Sequence, residues 1–108
     1  MPAAAVIRIA TARRLAMGGA LAVAACAATP PPDAQMTLAT ESLLQARLAG
    51  AERLAPVELG VARDKLHRAT VAMIAKDHDS AFRLAEQAHL DALLALARTE
   101  SALARPAR

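Results

Sequence analysis

The chain has 108 residues, and its 13 Lys and Arg residues against 10 Asp and Glu residues give a formal net charge of +3. It contains one cysteine, Cys26, and one aromatic residue, Phe82. A single cysteine cannot form an intramolecular disulfide, and one aromatic side chain offers no stacking platform for a nucleic acid. The composition therefore excludes a disulfide-stapled fold and argues against a nucleic-acid-binding domain.

Residues 1–25 have the pattern of a secretory signal peptide. A basic front that ends in Arg13 and Arg14 precedes an apolar run from Leu15 to Ala25, and small residues follow. The apolar run is shorter than the roughly 20 residues that a membrane-spanning helix needs. We therefore expect a cleaved signal rather than a retained span, and ordinary Sec export rather than twin-arginine export.

The end of this segment, Val23-Ala24-Ala25-Cys26, resembles a bacterial lipoprotein signal. The resemblance implies cleavage between Ala25 and Cys26 and lipidation of Cys26, which becomes the first residue of the mature chain. An ordinary secretory signal that happens to precede a cysteine is the alternative. Ala27 follows the cysteine, and lipoproteins retained at the inner membrane of Gram-negative cells usually have aspartate there. We therefore expect the periplasmic face of the outer membrane.

The mature chain is expected to be electrically neutral and to begin with an extended tether. Removal of the signal takes away three arginines and leaves ten basic residues against ten acidic ones. Residues 26–35 contain Pro30-Pro31-Pro32, which favours a polyproline-type segment without internal hydrogen bonds. We predict that this tether lifts a helical domain, residues 36–105, away from the membrane.

Three helices are predicted in that domain. The first extends from about Met36 to Gly50, with Thr37 or Thr40 as its cap and an apolar stripe of Leu44, Leu48 and Ala51. The second begins at Pro56, a residue suited to the first helical position, and ends near Lys76. After a tight turn, Asp79 or Ser80 is predicted to cap a third helix that ends near Ala104.

The third helix carries alanine every three or four residues, at positions 81, 85, 88, 92, 95 and 102. This spacing puts small side chains on one face and favours close approach of a neighbouring helix. The tight turn makes that neighbour the second helix, and reflection of the chain about His78 places Ile74 near Phe82, Leu66 near Leu90 and Leu59 near Ala97. The predicted fold is all-α, a short antiparallel helical hairpin with one shorter helix alongside.

A resemblance to the DUF4398 family covers residues 36 to 100. The segments that carry it are Leu54-Ala55-Pro56-Val57-Glu58-Leu59, Ala62 through Leu66, Lys76-Asp77-His78-Asp79, Leu84-Ala85-Glu86-Gln87-Ala88 and Asp91-Ala92. The resemblance implies a periplasmic helical domain without an established activity, often found on lipoproteins and sometimes beside peptidoglycan-binding domains. We expect no such second domain here, so that a link to the cell wall would require a partner.

No combination of residues in the sequence predicts an enzyme. His67, His78 and His89 are eleven residues apart, and His67 and His89 could face each other across the hairpin, but zinc needs three or four ligands. The sequence has no glycine-rich phosphate loop, no nucleophile with a recognisable base, and too few acids in its turn for a calcium loop. We expect no catalytic residue, no metal, no cofactor and no small-molecule substrate.

Two roles remain for a lipid-anchored helical domain of this kind. In the first, it is an adaptor or scaffold that docks an envelope protein in the periplasm. In the second, it is a structural lipoprotein that self-assembles through the alanine stripe, as an alanine zipper does. The breaks at Gly50, Pro56 and residues 76–79 weigh against the zipper, which requires one long uninterrupted helix.

Overall fold

The structure, a computed structural model, describes residues 29–106, and helices are the only regular secondary structure in this part of the chain. Four helices follow one another: α1, Asp33–Ala49; α2, Ala51–Leu54; α3, Pro56–Ile74; and α4, His78–Ala104. The all-α prediction is confirmed. The predicted signal peptide and the first three residues of the predicted tether, 26–28, lie outside the described residues.

Helix α1 begins three residues earlier than predicted, at Asp33, with Pro32 at the N-cap position. The acidic side chain of Asp33 suits the positive end of the helix dipole. Thr37 and Thr40 do not cap α1, because both lie inside it, where each hydroxyl donates to the carbonyl four residues earlier, at 3.0 and 2.8 Å. The predicted domain boundary at Met36 therefore falls within a helix.

The connection between α1 and α3 contains one helical turn that the sequence does not predict. Gly50 has φ 107°, a left-handed conformation that glycine adopts without strain, and it ends α1. Its carbonyl then accepts the amides of Arg53 and Leu54, both at 3.1 Å, which starts α2. The described chain therefore has four helices where the sequence predicts three. Pro56 begins α3 as predicted.

A tight turn joins α3 to α4. The amides of Lys76 and Asp77 donate to Met73 and Ala72 at 3.1 and 2.9 Å, a pair of bonds that defines a Schellman motif. Lys76 has φ 59°, so it lies in the turn rather than in the last turn of α3. Asp77, not Asp79 or Ser80, caps α4, and its side chain accepts the amide of Ser80 at 3.2 Å.

Helix α4 is the longest helix, with 27 residues, and it packs against both α1 and α3. Two ion pairs cross between α3 and α4: Lys65 to Asp91 at 2.7 Å, and Glu58 to Arg98 at 2.9 Å. Both pairs join residues that are equally far from His78 in the chain, so α3 is antiparallel to α4. Helix α1 packs against α4 and also contacts α3. The contacts Thr29–His78 and Ser42–His89 advance in the same direction along both segments, so α1 is parallel to α4.

The core of this bundle is made almost wholly of alanine. Twelve alanines and Leu59 form the buried apolar core of the described residues: Ala39, Ala46, Ala51, Ala55, Ala62, Ala69, Ala72, Ala81, Ala85, Ala88, Ala92 and Ala95. Small side chains let helices approach to the short end of the usual 8–10 Å range of interaxial distances. Five members of the alanine stripe of α4 are therefore buried inside the monomer.

The predicted large core residues lie elsewhere. Ile74 is 79 % exposed and Leu90 is 63 % exposed, so neither forms the core contact that reflection about His78 predicts. In α1, Leu44 and Leu48 are also exposed, and the buried stripe is instead Ala39, Ser42 and Ala46. The sequence places the helices correctly in order but assigns several large apolar residues to the wrong side of them.

Candidate functional site

The residues of the predicted lipid anchor, Ala25, Cys26 and Ala27, precede the described part of the chain. Thr29 is the first described residue, and its carbonyl accepts a hydrogen bond from His78 Nδ1 at 2.9 Å. This bond holds the entering chain against the turn between α3 and α4. Thr29, which lies at this end of the bundle, is three residues after Cys26 in the sequence.

The three histidines occupy different surroundings. His67 is exposed on α3, whereas His89 is half-buried and faces α1. Within residues 29–106, no three His, Cys, Asp or Glu side chains are grouped so that they could hold a metal ion. The structure therefore does not use His67 and His89 as a pair.

Ser42 and His89 form a hydrogen bond between α1 and α4 that the sequence analysis missed. The Ser42 hydroxyl donates to the Leu38 carbonyl at 2.7 Å, so its one proton is used within α1. His89 Nδ1 must then donate to Ser42 Oγ. Ser42 lies at helical spacing between Ala39 and Ala46, which is the sequence signal that could have revealed its burial.

This serine–histidine pair is built for packing rather than for nucleophilic attack. Ser42 is only 5 % exposed, and its hydroxyl donates to the Leu38 carbonyl of its own helix. A serine nucleophile needs a base that takes the hydroxyl proton and a route for substrate to the oxygen. The pair satisfies two buried polar groups between α1 and α4 and sets the register of the two helices.

Beside His89, a shallow groove runs between α1 and α4. It has a cavity volume of about 190 Å³ and is lined by Gln35, Leu38, Glu86, His89 and Leu90. Two of the residues that line the groove, Leu38 and Leu90, are exposed leucines, and Leu93 and Leu94 follow Leu90 at helical spacing and are exposed as well. These four residues are here called the leucine face. Neighbouring exposed apolar side chains of this kind mark interaction surfaces in soluble domains.

A second surface feature lies at the opposite end of α1 from Thr29. Glu52 Oε1 accepts from Arg47 Nε and from Arg63 Nη2, both at 3.2 Å. Arg53 follows Glu52 in the chain and is exposed. We call Arg47, Arg53 and Arg63 the arginine corner.

An acid four residues before a base predicts two ion pairs along the helix surfaces, Asp64 with Arg68 and Asp79 with Arg83, and one of them forms. Asp64 and Arg68 are 3.9 Å apart and exposed, so their attraction is weak. Arg83 donates to Ser80 Oγ at 3.3 Å instead of pairing with Asp79.

The Asp77 carboxyl carries a pKa below its usual value of 3.8. Hydrogen bonds from the side chain and the backbone amide of Ser80 are the main causes, and the charges of Arg83 and His78 add to them. These bonds favour the ionised carboxylate. Because the folded-state pKa is lowered, Asp77 stabilises the fold above the pKa of the unfolded chain. This stabilisation is lost as the pH falls through the lower, folded-state pKa.

We predict that Asp77→Asn removes this pH dependence while it keeps an N-cap acceptor, since Asn and Asp cap helices equally well. As the pH is lowered from about 6 to about 3, the melting temperature of the wild type should fall relative to that of Asp77→Asn. Circular dichroism at several pH values measures it. Asp77→Ala, which removes the cap itself, should melt below the wild type at neutral pH. A wild-type-to-Asn difference that stays constant across this range would contradict the assignment.

No described helix is both long enough and apolar enough to cross a bilayer. The described residues thus form a small all-α domain with an alanine core, a leucine face and an arginine corner. The chain belongs to the family described as "Domain of unknown function (DUF4398)", which matches residues 34–108. No curated protein and no solved structure matches the chain significantly.

Proposed function

We propose that this protein is a non-enzymatic, lipid-anchored envelope protein whose helical domain serves as a protein-interaction module, an adaptor or scaffold, in the periplasm. The hairpin of α3 and α4, with α1 alongside, is the rigid part of this module. Cys26 carries the lipid, and Ala27 directs the protein to the periplasmic face of the outer membrane.

One observation carries the adaptor role: among the described residues the buried apolar core is alanine apart from Leu59, while many large apolar side chains are exposed. Leu90, Leu93 and Leu94 are exposed on α4, and Leu38 of α1 lines the same groove as Leu90. Burial of one leucine side chain contributes about 1.5–3 kcal/mol. A partner that covers these residues therefore gains binding free energy from apolar surface that folding does not bury. The leucine face is therefore the proposed contact with an envelope protein.

The short connection to the proposed anchor supports a fixed orientation of the module. Thr29 is hydrogen-bonded to His78, and three residues of extended chain span no more than about 11 Å. The turn between α3 and α4 would then lie close to the membrane, and the end of the bundle with Gly50 would point into the periplasm.

The alternative is self-assembly through the alanine stripe as in an alanine zipper. Ala81, Ala85, Ala88, Ala92 and Ala95 are buried in the monomer against α1 and α3, so they are not free to form a second interface. A native-mass measurement separates the two proposals: a stable trimer favours the zipper, and a monomer favours the adaptor.

Site-specific photo-crosslinking in intact cells tests the adaptor role. A photoreactive residue at position 90 should form a discrete adduct with one other protein, and the same residue at position 68, on exposed α3 surface, should not. Adding Leu94→Glu should abolish the adduct, because a charge in the leucine face would be costly to desolvate. Equal crosslinking at positions 90 and 68 would argue against a specific contact.

A further inference from the structure

The arginine corner holds more hydrogen-bond donors than its one carboxylate uses. Each guanidinium has five N–H groups, and Glu52 accepts one from Arg47 and one from Arg63. Arg53 has no ion pair within the described part of the chain. The three side chains are exposed or half-exposed, so their remaining donors can reach a ligand.

The surrounding end of the bundle is also basic. Four arginines and three glutamates lie in α2, the last turn of α1, the first half of α3 and the last part of α4, and Arg105 follows α4: Arg47, Arg53, Arg63, Arg98, Glu52, Glu58 and Glu100. The other end, beside Thr29, carries three acids, Asp33, Asp77 and Asp79, against two bases, Lys76 and Arg83. The domain is thus electrostatically polar along α1, which is about 25 Å long.

We propose that the arginine corner binds an acidic peptide segment of a partner protein. Carboxylates of that segment accept from the guanidinium donors that Glu52 leaves free, an arrangement that the planar, forked guanidinium fits well. Glu52 occupies part of the same site and competes with the ligand. The placement of this partner in the envelope rests on the proposed function, but the binding site itself does not.

The position of the corner favours a protein over an anionic lipid. It lies at the end of α1 opposite the entry of the chain, so a bilayer that holds the anchor would face the acidic end. An anionic bilayer attracts basic side chains only within about one Debye length, roughly 8–10 Å. The arginines stand about two such lengths or more from the chain entry.

Fluorescence anisotropy with the full-length protein in a nonionic detergent and a labelled polyglutamate peptide tests this proposal. Arg53→Gln should weaken binding about threefold, whereas Arg68→Gln, an exposed arginine elsewhere on α3, should leave it unchanged. Replacing all three arginines of the corner by glutamine should weaken it at least about tenfold, and added salt should do the same.

Glu52→Gln is the most informative variant. It should tighten peptide binding about threefold, because it frees N–H donors of Arg47 and Arg63. If the corner only supports the fold, Glu52→Gln would lower the melting temperature and leave the peptide titration unchanged. Equal weakening by Arg53→Gln and Arg68→Gln, or preferential binding to phosphatidylglycerol vesicles, would also overturn the proposal. Peptide binding and membrane attachment are tested independently. If the wild-type protein fractionates as a soluble protein, the proposed lipid anchor fails, but the result of the peptide titration still stands.

Discussion

Ala92→Leu should lower the free energy of unfolding by about 1–3 kcal/mol, the usual cost of forcing extra methylenes into a packed core. Ala92 is completely buried in the middle of α4, where α1 and α3 both approach. For a domain of this size, each kcal/mol shifts the melting temperature by about 4–8 °C. Thermal unfolding followed by circular dichroism measures the change.

Ala97→Leu is the matched control, since it makes the same replacement five residues later on an exposed position of the same helix. Exposed substitutions of this kind change stability by about 0.5 kcal/mol or less. Equal melting temperatures for the two variants would mean that the alanine stripe does not form the core of the monomer.

Replacement of the proposed anchor cysteine has the largest expected effect on where the protein is found. Cys26→Ser should release the protein from membranes or leave an unprocessed precursor, because serine cannot carry the thioether-linked lipid. Several acyl chains, at about 0.8 kcal/mol per buried CH₂, hold a protein in a bilayer effectively permanently. Membrane fractionation after a salt wash, together with labelled palmitate, measures both steps.

Ala27→Asp is the companion variant, which keeps the lipid and changes only the sorting residue. It should move the protein from the outer to the inner membrane without changing palmitate incorporation. A wild type that fractionates as a soluble periplasmic protein, or that never incorporates palmitate, would refute the lipid anchor proposed at Cys26.

The order of the main helices and some of their ends follow from local signals in the sequence. Pro56 begins α3 as predicted, because proline at a first helical position is a local preference that needs no tertiary contact. The end of α4 at Ala104 also agrees with the prediction. The cap of α4 shows where local reasoning stops. Asp77, Asp79 and Ser80 are all good caps, and the Schellman motif at Lys76 decides for Asp77.

The side of each helix that becomes buried could not be predicted from hydrophobicity alone. Leucine at positions 44, 48 and 90 is more apolar than alanine, yet the helices pack through alanine. Small side chains let neighbouring helices approach closely, so the alanine face packs, whereas a hydrophobicity scale ranks alanine below leucine. The same bias hid Ser42, whose hydroxyl is satisfied by the carbonyl of its own helix.

The alanine core also determines when the chain loses side-chain entropy. An alanine has no rotamers, so burying twelve of them costs no side-chain conformational freedom when the domain folds. The exposed leucines keep their rotamers in the free protein, and each loses about 0.5–1 kcal/mol of that freedom only when a surface covers it. In the proposed complex, much of the side-chain ordering that most domains complete on folding would therefore take place when the partner binds.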